Sequence, residues 1–211
     1  QRQQLPGLSV LSCDNLPANG QLTQRVITAL AREIDPELAK WIEQQVSFPS
    51  SMVDRIVPAT TDTNRAALAA ALAYRDEATV GCEPFSQWVI EDNFKQGRPA
   101  WEKAGATFVE DVHPFETMKL RLLNGSHSSM AYLGCLADFD FIHEVIAEPR
   151  LKLFIQALMD CEITPTLSTP DNINLTAYKQ LLLDRFANQS LQHRCQQIAM
   201  DGSQKLPQRL L

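Results

Sequence analysis

"HPFETMKLRLLNGSHSSMAYLGCL", residues 113–136, is the stretch on which the fold turns. Phe115, Met118, Leu122, Met130 and Leu133 recur at helical spacing, and Pro114 suits the first helical position, so the segment predicts a long helix with a core-facing stripe. Three polar residues break into it. At about 100° per residue, Asn124 lies roughly 140° and His127 roughly 80° around the axis from Lys119, which puts all three on one side. Gly125 beside them costs about 1 kcal/mol relative to alanine in a helix interior, so a close approach of backbone or ligand is the expected reason for it.

Upstream of this stretch the chain alternates. "LSVLSCDN" (8–15) reads as a buried strand ending in a polar loop, and "NGQLTQRVITALAREID" (19–35) as an amphipathic helix with Leu22, Val26, Ile27 and Leu30 on its apolar face. "PELAKWIEQQV" (36–46) opens with a helix-starting proline, and "VSFPSSMVDRIVP" (46–58) is irregular and bounded by proline. "NRAALAAALAYR" (64–75) is helical on propensity, and "TVGCEPFSQWVIED" (79–92) has the β-branched and aromatic character of a strand. Downstream, strand signals nearly vanish and the pattern predicts helices over 115–137, about 139–146, 149–161, 174–186 and 190–200, with a long loop at "TPTLSTPDNIN" (164–174). The expectation is α/β followed by mainly α, with a boundary near residue 112. The opening "QRQQLPG" (1–7) has the look of a helix tail leading into a strand, and with no initiator Met it suggests a fragment.

The formal net charge of −6 over 211 residues, with Lys and Arg scattered, lacks the basic patch of a nucleic-acid binder. No run reaches the roughly 18 apolar residues of a membrane span. Five cysteines at irregular spacing, with no CxxC pair, predict free buried thiols in a reducing cytoplasm and no zinc site. Oligomeric state leaves no trace in the sequence.

A lysine beside an amide donor and an imidazole suits proton removal from a secondary alcohol while its carbon loses hydride. Lys119 would be the base, its pKa lowered from about 10.4 by burial in an apolar helix interface, with Asn124 and His127 donating hydrogen bonds to the reacting oxygen. Glu116 would be a charge partner or proton relay. The plainer reading has Lys119 reaching to water and the other two as satisfied polar residues between helices. Spacing alone leaves both open.

"KLRLLNGSH" (119–127) resembles the Lys, Asn and His motif of the polyol-specific long-chain dehydrogenases, the mannitol dehydrogenase family. "VSFPSSMVDRIVP", "SCDN" followed by "NG", "EPFSQWVIED" and "DGSQK" (201–205) resemble further segments of that family in the same order, spanning nearly the whole chain. The resemblance implies residues 1–112 as the C-terminal portion of a Rossmann-type domain. Residues 113–211 would begin a helical substrate and catalytic domain of the 6-phosphogluconate dehydrogenase C-terminal-like type. It implies NAD as cofactor, Lys119, Asn124 and His127 as catalytic residues, Asn15, Asp54 and Lys205 as substrate-binding residues, and Glu116 near the base. Within the family, "QIAMDGSQKLPQRLL" (197–211) and "EPFSQWVIEDNF" (83–94) are most similar to the fructuronate reductase (mannonate oxidoreductase) branch, with tagaturonate reduction and mannitol or polyol oxidation as alternatives. Gln197 stands where mannitol-oxidising members carry arginine, which favours the uronate branch; Lys205, Arg209 and Arg121 are then candidates for the substrate carboxylate. Members are roughly twice this length and open with a glycine-rich dinucleotide loop, and no such loop occurs here, which leaves the cofactor-binding residues unassigned. A helical interaction module that kept the motifs by descent is the alternative from another class.

Overall fold

The computed structural model describes residues 6–170 and 173–210; residues 1–5 of the predicted helix tail and residues 171–172 of the predicted loop lie outside them. The chain divides into two compact units, residues 1–54 with 86–116, and residues 55–85 with 117–211.

In the first unit, α1 (Asn19–Ile34) packs on α2 (Pro36–Gln45) around Ala31, Ala39, Ile42, Val46 and Phe48. The break between them is local chemistry: Asp35 caps α2 by accepting the Glu37 N–H at 2.9 Å, and Pro36 takes the first helical position. Only part of the predicted apolar face of α1 is buried: Ile27 packs on this core, but Val26 and Leu30 turn outward. Val26 is 59% exposed and Leu30 62%, whereas Thr28 and Ala31 are buried. Periodicity locates an apolar stripe, but small residues permit the close approach of α2.

The predicted strand at Leu8–Leu11 is only a single parallel bridge, Ser9 to Ser47, with Val10 N–H on the Ser47 carbonyl at 2.9 Å. Leu8 is itself exposed. Conversely, the segment read as irregular contains β1 (Ser51–Asp54). β1 pairs antiparallel with β2 (Gln87–Glu91), Ser51 opposite Ile90 and Asp54 opposite Gln87. Its pairing comes from a partner more than thirty residues away, which no local pattern reports. β3 (Thr107–Val109) adds in parallel on the other side of β2, Val89 opposite Thr107, giving a sheet of order β1-β2-β3 among the described residues. Asn19 locks this unit: its side-chain amide donates to the Asp14 and Ser51 carbonyls, each at 2.8 Å, and accepts the Ser51 N–H at 2.9 Å.

The second unit is helical. It holds α3 (Asp62–Leu72), started by a capping box between Thr61 and Asn64. The division of the chain falls inside α4 (His113–Met118), after which come α5 (Ser126–Leu136), α6 (Ile142–Ala147), α7 (Pro149–Ala157), α8 (Leu175–Phe186), α9 (Cys195–Ala199) and α10 (Gly202–Arg209). Its core is dense: Met118, Leu122, Met130, Val145, Ile155 and Leu182 have no exposed surface. The helix expected over 190–200 is broken, because Gln192 adopts a left-handed conformation (φ 45°) and α9 starts only at Cys195. Gly134 is required by close packing, since a Cβ there would lie 2.6 Å from Val145 Cγ2 and 2.7 Å from Cys195 Sγ. All five cysteines are free, but Cys13, Cys82 and Cys161 are exposed rather than buried. No helix of the described residues is long and apolar enough to cross a membrane.

Candidate functional site

The segment 113–136 is helical throughout, but not α-helical throughout. Between α4 and α5, residues Lys119–Gly125 form a π-helical turn. Such turns are rare and occur often at functional sites. The wider i→i+5 registry makes the residue five positions on the neighbour across one turn, so Asn124 moves closer to the Lys119 side than α-geometry would place it. The helix type differs from the α-helix the periodicity predicts, because side-chain periodicity over seven residues does not resolve a π turn.

Lys119 is 7% exposed and His127 9% exposed, while Asn124 is half-buried. The neighbours of Lys119 in this turn, Leu122 and Leu123, are buried too. Gly125 is explained by backbone rather than by a ligand: a Cβ there would meet the Arg209 carbonyl oxygen at 3.0 Å and Leu210 Cδ2 at 3.2 Å, where α10 packs onto the π turn.

His127 is enclosed by aromatic groups. Its ring centroid lies 5.3 Å from Phe186 and 4.8 Å from His193, the latter edge to face. Burial pushes its pKa well below the usual imidazole range, and the nearby His193, Arg209 and Arg185 push in the same direction. His127 is thus neutral at physiological pH, a hydrogen-bond donor on one nitrogen only. Beneath it sits a buried ion pair absent from the sequence reading. Arg185 Nη2 lies 2.7 Å from Glu83 Oε1, its Nε lies 3.0 Å from Oε2, and the two side chains are 4% and 2% exposed. Glu83 Oε1 also accepts the Ile56 N–H at 2.6 Å, and the Arg185 guanidinium lies 4.0 Å over the Phe85 ring. Both residues stand in plain view in the sequence, 102 positions apart, with nothing local to link them.

The other predicted residues divide between the units. Lys205, on α10 with Lys119, Asn124 and His127 in the second unit, is drawn toward Asp201 at 3.8 Å. Arg121 donates to the Thr166 carbonyl at 3.4 Å. Arg209 is half-buried, donates from Nη1 to Ser128 Oγ at 2.9 Å, and has its pKa lowered by burial; no carboxylate among the described residues pairs with it. In the first unit, Asn15 lies in the exposed loop that Asn19 ties to β1, and Asp54 ends that strand at 3% exposure. Glu116 Oε2 accepts the Ala18 N–H of the same loop region at 3.3 Å, and burial raises its pKa above the usual carboxylate range. The structure thus ties Glu116 to the Ala18 backbone at the end of the loop that carries Asn15, and sets Lys119, Asn124 and His127 along one helical segment of the second unit. No group of three or more His, Cys, Asp or Glu able to hold a metal occurs among the described residues.

Comparison with known proteins gives a consistent picture. Residues 1–103 match the mannitol dehydrogenase Rossmann domain and residues 111–211 the mannitol dehydrogenase C-terminal domain. The chain is 54% identical to D-mannonate oxidoreductase of Escherichia coli (strain K12), over 98% of this chain and 43% of that protein. It is 43% identical to mannitol 2-dehydrogenase of Aspergillus terreus, over 98% of this chain and 42% of the relative. Among solved structures, Pseudomonas fluorescens mannitol 2-dehydrogenase, in ternary complex with NAD and D-mannitol, matches with a TM-score of 0.86 and 45% identity, over 98% of this chain and 42% of that one. The chain spans less than half the length of the curated relatives it matches.

Proposed function

The chain belongs to the mannitol dehydrogenase family, and from that premise we propose that the intact protein is an NAD-dependent oxidoreductase interconverting a hexuronate ketone and its sugar-acid alcohol, D-fructuronate and D-mannonate. The observation that carries the reading is the buried Lys119 on a π turn beside Asn124 and a neutral, enclosed His127. In the reductive direction the Lys119 ammonium gives its proton to the carbonyl oxygen as the carbon gains hydride. Asn124 Nδ2 and the His127 N–H hold that oxygen while negative charge builds on it. In oxidation the neutral amine takes the alcohol proton, with Glu116 as the relay partner. A lysine base makes the chemistry zinc-independent.

The described residues do not form a cradle for the dinucleotide phosphates. No glycine-rich loop occurs among the 211 residues, and Gly20 at the start of α1 is backed by chain, a Cβ there lying 2.4 Å from the Phe48 carbonyl. The residues of this chain thus serve the proton-transfer half of the reaction.

The acid-sugar assignment is supported by the 54% identity to D-mannonate oxidoreductase and by Arg209, a half-buried candidate cation whose pKa burial lowers and which has no acidic partner among the described residues. A desolvated guanidinium is costly unless an anion meets it. Asn15, Asp54 and Lys205 would hold the sugar hydroxyls. We keep the domain division at 1–112 and 113–211, and a cytoplasmic setting, which the five free thiols support. The test is NADH oxidation by the intact protein with fructuronate, tagaturonate and fructose. Turnover fastest on fructuronate is expected; no turnover on any of the three refutes the reading, and preference for fructose moves it to the mannitol branch, as the ternary-complex relative would suggest.

A further inference from the structure

α10 (Gly202–Arg209) carries Lys205 and Arg209, two of the side chains proposed to hold the substrate, yet little in its own sequence makes it a helix. It is eight residues long, opens with glycine and has Pro207 inside; its N-cap, Asp201, sits in the left-handed region (φ 58°) with no side-chain cap. A segment of that length and composition is marginal as an isolated helix. Docking at both ends holds it instead. At the C-terminal end the Arg209 carbonyl meets Gly125 of the π turn, where a Cβ would lie 3.0 Å from the oxygen, and Arg209 Nη1 donates to Ser128 Oγ at 2.9 Å. At the N-terminal end Gly202 lies so close to the Tyr132 hydroxyl that a Cβ would be 2.2 Å from Oη. The same hydroxyl donates at 3.0 Å to the carbonyl of Ala199, the last residue of α9. α10 thus runs back along the helical segment that carries Lys119, Asn124 and His127, from Tyr132 at its start to Gly125 at its end.

We propose that Tyr132 is a positioning residue for the substrate-binding side chains of α10. Its hydroxyl ties down the turn from Ala199 to Gly202 and, with Gly202, fixes where on α5 the helix starts, and so where Lys205 and Arg209 stand. The inference rests on the substrate roles proposed for those two residues. Two observations single out the hydroxyl rather than the ring. The ring borders a cavity of about 650 Å³, together with Leu158, Leu206 and Arg209, so packing leaves it room to turn and the bond to Ala199 is what holds it. Gly202 also answers to the oxygen alone: with Oη removed, the nearest Tyr132 atom to a Cβ at that position would be Cζ at 3.4 Å, an ordinary van der Waals contact.

The test compares Tyr132→Phe, Gly202→Ala and the double variant with the parent, all in the intact protein. It reads the KM and kcat of NADH-dependent fructuronate reduction and, by hydrogen-exchange mass spectrometry, the protection of α10, whose Gln204 and Lys205 N–H groups both donate to the Asp201 carbonyl at 3.0 Å. Tyr132→Phe should raise KM and speed exchange in α10 by about three- to tenfold, the worth of one hydrogen bond, with kcat and exchange elsewhere little changed. A merely structural role would lower kcat at constant KM, because less of the enzyme would be folded. Gly202→Ala should raise KM at least tenfold, since the new Cβ displaces either the hydroxyl or the start of α10. The double variant lacks the oxygen that this Cβ meets and should fall back to the level of Tyr132→Phe. Exchange in α10 unchanged in both single variants, or losses that add in the double, overturns the positioning role alone. Faster exchange in α10 with KM unchanged refutes the substrate roles of Lys205 and Arg209, and the positioning role with them.

Discussion

Removing the carboxylate of Glu83 is the perturbation most diagnostic of the helical unit. Glu83 receives both Nε and Nη2 of Arg185 and the Ile56 N–H, with both side chains almost wholly out of water. Glu83→Ala takes from a buried guanidinium the carboxylate that accepts its Nε and Nη2 hydrogens, and takes the acceptor from a buried backbone donor. Breaking one side of such a pair costs about 3–5 kcal/mol, since the buried charge keeps its desolvation penalty while losing that carboxylate. In a chain of this size that corresponds to a fall in melting temperature on the order of 10 °C. Replacing both partners with apolar residues of similar volume, Glu83→Leu with Arg185→Met, removes the buried charge itself, and the double variant should lie within about 1–2 kcal/mol of the parent. Urea unfolding of the parent, the two singles and the double, followed by far-UV circular dichroism, measures the cycle. Additive losses, or a Glu83→Ala loss below about 1 kcal/mol, would refute the account, because they would mean that water or another group already solvates Arg185.

Other consequences are as direct. Lys119→Ala in the intact protein should lower kcat by roughly 10²–10⁴ with stability little changed, measured as NADH oxidation. The His193 pKa of about 4 lies below the usual imidazole value, so the folded state binds fewer protons than the unfolded one between those limits. The stability it contributes is full above about pH 6.5 and is lost as pH falls through about 4; discounted for partial exposure it amounts to ~1–2 kcal/mol, and His193→Phe should flatten that part of the urea midpoint against pH. Arg209→Gln should reduce kcat/KM for the sugar acid at least tenfold while leaving that for a neutral polyol nearly unchanged; an equal loss on both would refute Arg209 as the carboxylate partner. Under native conditions a thiol reagent should titrate Cys13, Cys82 and Cys161 but not Cys195, which is buried with its pKa raised to about 11.

The sequence by itself determined the change from alternating elements to helices near residue 112, the core stripe of Met118, Leu122 and Met130, and the placing of Lys119, Asn124 and His127 within one helical segment. These are readable because helical periodicity and proline placement act within a few residues. Tertiary structure alone decided the rest. β1 is a strand because β2 pairs with it, and Val26 and Leu30 are exposed because α2 packs on the Thr28 and Ala31 side of α1. The π turn at Lys119–Gly125 forms where α10 lays its backbone against Gly125. Glu83 with Arg185 and His127 with His193 meet across 102 and 66 positions. Spacing in a sequence fixes angles around one helix axis; which distant charge, ring or carbonyl completes a site is fixed only when separate elements bury their surfaces against each other.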